Sequence, residues 1–156
     1  MTTVIRVAAI DDDRMLLGGL DSWLRPIDDV ELGIMVTTVT ANLDGIGDAP
    51  PHVVLLDLNL RDHTAPADNV RRVLATGARV LVVSTIPDAD GVLATIEAGA
   101  SGYITKDQDL EVLVQAIRDV VGTSMTVGIR LNIRQEAPEG FGVAGGIELA
   151  QYFEST

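Results

Sequence analysis

The hydrophobic positions of the chain fall into two kinds of segment, which alternate as far as residue 122. Short runs of β-branched and aliphatic residues predict strands at Val4–Ile10, Val30–Val36, Val53–Leu56, Arg79–Ser84 and Gly102–Thr105. Apolar residues at helical spacing predict helices near Arg14–Leu24, Val39–Ile46, Ala67–Thr76, Asp88–Ala98 and Asp109–Val121. This alternation is typical of an α/β fold, in which helices cover both faces of a parallel sheet.

The sequence changes character after residue 122. Residues 123–156 contain an apolar stretch, MTVGIRLNI, then a glycine- and proline-rich stretch, EAPEGFGVAGG, and finally IELAQYFES. These could form a strand, a connector and a short amphipathic helix or turn. We therefore expect one domain over residues 1–122 and a C-terminal tail or linker over residues 123–156.

Composition and charge narrow the class of protein. With 47% hydrophobic and 22% charged residues, the chain has the make-up of a globular protein, and no apolar run approaches the ~20 residues of a membrane span. Its formal net charge of −12 opposes attraction to nucleic acid and to anionic membranes. Because the chain has no cysteine and begins without a secretory signal pattern, we expect a cytoplasmic protein.

Polar side chains stand where four of the predicted strands end. They are Asp11, Asp12 and Asp13 after the first strand, Asp57 after the third, Ser84 at the end of the fourth and Lys106 after the fifth. Because the carboxyl ends of parallel strands meet at one edge of the sheet, we expect these groups to converge there.

Converging carboxylates disfavour full ionisation unless a cation neutralises them. Oxygen ligands of high charge density suit Mg²⁺, which can also align a phosphoryl group that arrives on a carboxylate. A lysine nearby is a point-charge partner for phosphate, and a serine can donate a hydrogen bond to it. The pattern therefore predicts a site in which one aspartate is phosphorylated.

Four motifs in this order resemble the receiver domain of two-component response regulators. They are IDDDR, LLDLNL, VVST and AGASGYITKD, and the resemblance covers about residues 4–122. It implies a flavodoxin-like fold, with a doubly wound parallel sheet of five strands in the order 2-1-3-4-5. The KD pair and the AGASGYI stretch are most similar to the branch with a LuxR-type (NarL-type) helix-turn-helix output.

The resemblance implies a role for each matching residue. Asp57 is the expected phosphoacceptor. The expected Mg²⁺ ligands are Asp11, Asp12, Asp57 and the backbone carbonyl of Asn59. Ser84 and Lys106 are the expected phosphate-binding groups, and Tyr103 is either the switch aromatic or a half-buried packing residue. Asp13 is better explained as the opening of the first helix.

Other positions depart from the family pattern or tune it. Arg61 and Ala65 stand where the family usually has proline and glycine, so we expect another shape for the loop before the third helix. Asn59 and Ile86 occupy positions that tune hydrolysis of the acyl phosphate, and an apolar Ile86 cannot orient water, which predicts a long-lived phosphorylated state. In the family the peptide bond between the residues at Lys106 and Asp107 is often cis, so we expect a cis bond here.

The resemblance implies a signalling phosphoacceptor rather than an enzyme with a separate substrate. Its partners would be a sensor histidine kinase and a second copy of the chain, joined through the fourth helix, fifth strand and fifth helix. A DNA-binding output domain is not encoded in these residues, so we expect either a truncated protein or a stand-alone receiver.

Two other classes of function compete with this one. A pseudo-receiver would use the same fold as a phosphorylation-independent interaction or dimerisation module, and the altered loop at Arg61 keeps this alternative open. A Mg²⁺-dependent phosphohydrolase of related topology would need a second carboxylate two residues after its nucleophile. Asn59 stands at that position, which argues against a hydrolase.

Overall fold

The computed structural model describes residues 3–46, 50–85 and 89–122. Strands and helices alternate in it as predicted, in the order β1 (Ile5–Ile10), α1 (Arg14–Leu24), β2 (Val30–Val36), α2 (Val39–Gly45), β3 (Val53–Asp57), α3 (Pro66–Leu74), β4 (Arg79–Ser84), α4 (Ala89–Glu97), β5 (Gly102–Thr105) and α5 (Leu110–Gly122). The tail over residues 123–156 and the position of Ile86 lie outside the described residues.

The strands of the described segments form one parallel sheet in the order β2-β1-β3-β4-β5, which confirms the predicted fold. From β1 the chain first moves outward to β2 and then crosses back to β3 on the other side. The strand order therefore reverses between β1 and β3, and in open α/β sheets the ligand-binding crevice lies at such a reversal, at the carboxyl ends of the strands.

Helices cover both faces of the sheet, which explains the continuous apolar runs of the central strands. In β3, Val54 and Leu56 pack with residues of α2, α3 and α4, whereas Val53 and Leu55 pack with residues of α1 and α5. All four side chains are buried. Burial of one such side chain contributes roughly 1.5–3 kcal/mol, so these strands hold the scaffold rigidly beneath the crevice.

Two helix ends follow from particular residues. Asp13 caps α1, because its side chain accepts hydrogen bonds from the N–H groups of Met15 and Leu16 at 3.0 and 3.2 Å. After α4, Gly99 adopts a φ of +116°, a left-handed conformation that favours glycine. A Cβ at this position would also lie 2.7 Å from Leu74, so the turn between α4 and β5 requires glycine.

Within the described segments, no helix combines the length and the apolar character that crossing a bilayer requires.

Candidate functional site

Three carboxylates converge in the crevice between β1 and β3. Oxygen atoms of Asp11, Asp12 and Asp57 all lie within 4.8 Å of one another, and this is the group of potential metal ligands found among the described residues. Asp11 and Asp12 follow β1, whereas Asp57 is the last residue of β3, so the two neighbouring strands bring them together. The structure thus places the expected acids side by side.

Lys106 reaches this cluster from the end of β5. Its Nζ atom lies 2.8 Å from an Oδ2 oxygen of Asp11 and 3.5 Å from Oδ2 of Asp57. The backbone N–H of Lys106 donates to the carbonyl of Ser84 at 2.8 Å, which fixes the chain at this point. One ammonium group therefore bridges two buried acids.

Burial raises the pKa of Asp57 to about 6, from an ordinary value of 3.8. The N–H of Asn59 donates to Oδ1 of Asp57 at 3.1 Å and opposes the rise, as does the charge of Lys106, whereas the negative charge of Asp11 adds to it. Asp57 is only 5% exposed. Its ionised form is consequently costly, and an additional cation in the crevice would stabilise it.

Burial alone would lower the pKa of Lys106, but its hydrogen bond with Asp11 and the charges of Asp57 and Asp11 outweigh burial and raise that pKa. Lys106 is therefore a permanent cation of the site at neutral pH.

A second cation lies at the outer side of the cluster. Nε of Arg61 is 3.3 Å from Oδ2 of Asp12, and both side chains reach solvent, with 91% and 31% of their surfaces exposed. The sequence identified Arg61 only as a departure from the family pattern. Its contact with Asp12 depends on the path of the β3–α3 loop, for which the sequence carried no signal.

Asp13 does not join the cluster. Its N–H donates to Oδ1 of Asp11 at 2.8 Å, and its own carboxylate caps α1. This confirms the assignment of Asp13 to the start of the helix. The hydrogen bond also orients Asp11, so the three consecutive aspartates have three different surroundings.

Ser84 and Tyr103, the two remaining residues that the resemblance singled out, are both buried. Ser84 is fully buried at the end of β4, one residue beyond the partner of Asp57 in the sheet register. Tyr103 in β5 is 2% exposed and packs in the core layer that includes Val92 and Ile96 of α4. The tyrosine is more buried than the half-buried packing position considered for it.

Two further expectations concern Asn59 and the Lys106–Asp107 peptide bond. The Asn59 side chain is exposed, and its backbone N–H donates a hydrogen bond to Asp57. No peptide bond among the described residues is cis, so the expectation for Lys106–Asp107 is wrong.

The donor set fits Mg²⁺. Its side chains supply carboxylate oxygens from Asp11, Asp12 and Asp57, which are the ligands that this ion takes in small number while keeping several waters. Burial, with a smaller contribution from the charge of Asp11, raises the pKa of Asp57 and makes its ionised form costly, and such an ion would offset that cost.

Comparison with known proteins agrees with this geometry. A family model described as "Response regulator receiver domain" matches residues 7–118. The transcriptional regulatory protein DesR of Bacillus subtilis is 30% identical over 118 residues, which is 76% of this chain and 59% of DesR. The nitrate/nitrite response regulator protein NarP of Escherichia coli is 30% identical over 142 residues, 90% of this chain and 66% of NarP.

A solved structure has the same fold. It is a two-component response regulator of the LuxR family from Aurantimonas sp. SI85-9A1, with a TM-score of 0.70 and 24% identity, and the match covers 84% of this chain and 96% of that one. The chain spans about 59% of the length of DesR, so it corresponds to only part of that relative. The family match, the strand order and these relatives all agree: the chain belongs to the response regulator receiver domain family of two-component signalling proteins.

Proposed function

We propose that the domain accepts a phosphoryl group on Asp57 and thereby switches a transcriptional output. The observation that carries this proposal is the placement of Asp57: it is buried beside Asp11 and Asp12 and faces the ammonium group of Lys106. A buried carboxylate with a raised pKa, surrounded by groups that suit Mg²⁺ and phosphate, is a nucleophile in a prepared pocket.

The donor would be a phosphohistidine of a sensor kinase. An Oδ oxygen of Asp57 attacks the phosphorus, a P–O bond forms, and the P–N bond breaks with its electron pair left on the imidazole, which takes a proton from solvent. The product on Asp57 is an acyl phosphate. Asp11, Asp12, Asp57 and the carbonyl of Asn59 would hold a Mg²⁺ ion, which would supply a positive charge that neutralises the phosphoryl group.

Lys106 would then exchange part of its contact with Asp57 for a phosphoryl oxygen, as a point-charge donor. Ser84, at the end of the neighbouring strand, would donate its hydroxyl to another phosphoryl oxygen. The lifetime of the product would be governed at Asn59 and Ile86, and the apolar Ile86 predicts slow hydrolysis.

The output would lie on the face formed by α4, β5 and α5. Tyr103 would be the switch aromatic of this face, and its burial in the core layer that includes residues of α4 is compatible with that role. Phosphorylation would shift a two-state equilibrium of this face and favour a homodimer. The relatives DesR and NarP are regulators, which supports a transcriptional output through a DNA-binding domain outside these residues.

Beryllofluoride, a phosphoryl analogue, tests the pocket without a kinase. We expect the wild-type protein to bind it in the presence of Mg²⁺, seen as protein-bound ¹⁹F resonances, and Asp57→Asn to bind none. The matched control is Asp44→Asn, which changes an exposed aspartate of α2 and should bind like the wild type. Equal binding by wild type and Asp57→Asn would refute the proposal.

A further inference from the structure

The cluster holds an arginine that faces a proposed metal ligand. Nε of Arg61 lies 3.3 Å from Oδ2 of Asp12, on the solvent side of the three carboxylates. Lys106, by contrast, pairs with Asp11 and Asp57 on the inner side. In the described structure each acid of the cluster therefore has a protein cation within 4.0 Å.

The two cations differ in how firmly they are held. The Lys106 side chain is 15% exposed and is bound by two buried carboxylates, so its removal from the site would be costly. The Arg61 side chain is 91% exposed and makes one ion pair. An exposed pair of this kind is weak, so the guanidinium can leave Asp12 when a stronger cation arrives.

The loop that carries Arg61 is itself fixed. Asp62 accepts hydrogen bonds from the N–H of Thr64 and from the side-chain amide of Asn69, both at 3.1 Å, and Asn69 is buried in α3. These contacts anchor the residue next to Arg61 to the body of the domain. The long arginine side chain is thus tethered within reach of Asp12.

We propose that Arg61 is a built-in competitor of the divalent cation: it neutralises Asp12 when the metal is absent and must leave that carboxylate when the metal binds. This inference rests on the proposed function, because it assumes that Asp12 is a metal ligand. The consequence is that Arg61 sets the Mg²⁺ affinity of the domain, and with it the Mg²⁺ concentration at which Asp57 becomes competent for phosphoryl transfer.

The test is a Mg²⁺ titration of the whole chain, followed by isothermal calorimetry and by the fluorescence of Trp23, which lines the cavity next to Lys106. Arg61→Ala should bind Mg²⁺ roughly two- to five-fold more tightly than the wild type, the factor that an exposed ion pair can supply. Arg61→Lys keeps a positive charge near Asp12 and should stay close to the wild-type affinity.

Arg71→Ala is the matched control. Arg71 also forms an exposed ion pair, 2.8 Å from Asp68 on α3, so its removal changes the net charge of the chain by the same amount without touching the cluster. The difference in Mg²⁺ affinity between Arg61→Ala and Arg71→Ala should shrink at about 1 M salt, where the Debye length is about 3 Å and exposed charges are screened.

The results of the titration distinguish a failure of the Arg61 role from a failure of the metal site itself. If wild-type protein binds Mg²⁺ and Arg61→Ala gains no more affinity than Arg71→Ala, the competitor role is wrong and the proposed function stands. If Arg61→Ala loses affinity, Arg61 helps to build the site and the inference is overturned as well. If the wild type itself binds no Mg²⁺, both the inference and the metal site of the proposed function fail.

Discussion

Lys106 and Asp11 form an ion pair with 2.8 Å between Nζ and Oδ2, although β3 and β4 separate the strands that carry them in the sheet. The long lysine side chain allows the pair to span the carboxyl edge of the sheet. It links the two ends of the site across the position of Asp57. The lysine therefore has a structural role as well as the proposed one toward phosphate.

Lys106→Met should destabilise the fold, and more at pH 8 than at pH 5. Removal of the cation leaves Asp11 and Asp57 buried together, and breaking a buried pair costs roughly 3–5 kcal/mol. Without Lys106 the pKa of Asp57 rises further above about 6, so at pH 5 the folded protein takes up a proton that relieves the repulsion.

Urea unfolding in EDTA, followed by circular dichroism at both pH values, measures this difference. Arg25→Met is the control, because Arg25 makes an exposed pair with Asp21 and its loss should change stability little at either pH. A penalty for Lys106→Met that is small, or equal at the two pH values, would show that the lysine does not hold the acids together.

Asp57→Asn should stabilise the metal-free protein at pH 8. The folded pKa of Asp57 lies above its unfolded value of 3.8, so the folded state binds a proton more tightly, and stability falls as pH rises through about 6. A shift of this size corresponds to at most about 3 kcal/mol, which the neutral asparagine avoids. At pH 4 the advantage of the variant should be nearly lost.

Denaturant unfolding of Asp57→Asn and of Asp44→Asn, across pH 4 to 8 in EDTA, provides the comparison. The exposed Asp44 should give a nearly flat difference from the wild type. If Asp57→Asn is less stable than the wild type at pH 8, the ionised carboxylate stabilises the fold, contrary to the raised pKa.

Mg²⁺ should raise the melting temperature of the wild type, and Asp12→Ala should abolish that gain. An ion that binds only the folded state stabilises that state by mass action. Among the hydrogen bonds described, backbone N–H groups donate to Asp11 and Asp57 but not to Asp12, so the carboxylate of Asp12 is the one most available to the ion.

Asp13→Ala separates the metal site from the helix cap. It removes the acceptor of the Met15 and Leu16 N–H groups and should cost about 0.5–2 kcal/mol of stability, but the Mg²⁺-dependent shift should persist. An unchanged metal response in Asp12→Ala, or a lost one in Asp13→Ala, would place the ion elsewhere.

Two glycines should respond in opposite ways to alanine. Gly18 lies inside α1 with open space around an added Cβ, so Gly18→Ala should stabilise the domain by roughly 0.5–1 kcal/mol. Gly99→Ala should destabilise it, because its φ is +116° and the new Cβ would meet Leu74 at 2.7 Å. Thermal unfolding measures the change in stability of each variant. A Gly99→Ala variant that is as stable as the wild type, or more stable, would contradict the described turn after α4.

The strands and helices were predictable from the spacing of hydrophobic residues along the chain. Runs such as Val53–Asp57 are buried on both faces, and their ends coincide with the predicted ends to within a residue or two. The irregularity in β2 was not predicted: Leu32 pairs with Val7 and Ile34 with Ala8, so Gly33 forms a bulge. The isolated glycine within the run was the local sign of it.

The functional site also has a part that could be predicted from the sequence and a part that could not. The proximity of Asp11, Asp12 and Asp57 could be predicted, because each lies at the end of a strand and parallel strands end at one edge of the sheet. The contact between Arg61 and Asp12 could not, since it depends on the shape of a loop in which His63 adopts a φ of 60°. Local sequence does not determine where an exposed arginine of such a loop points.

Intact-mass spectrometry after incubation with acetyl phosphate and Mg²⁺ measures whether Asp57 accepts a phosphoryl group. Wild-type protein should gain the mass of one phosphoryl group, and the gain should be lost in EDTA. Asp57→Asn should gain none, while Asp44→Asn should behave like the wild type. A wild-type protein that remains unmodified, or an Asp57→Asn variant that is modified equally, would exclude Asp57 as the phosphoacceptor and favour a phosphorylation-independent interaction module.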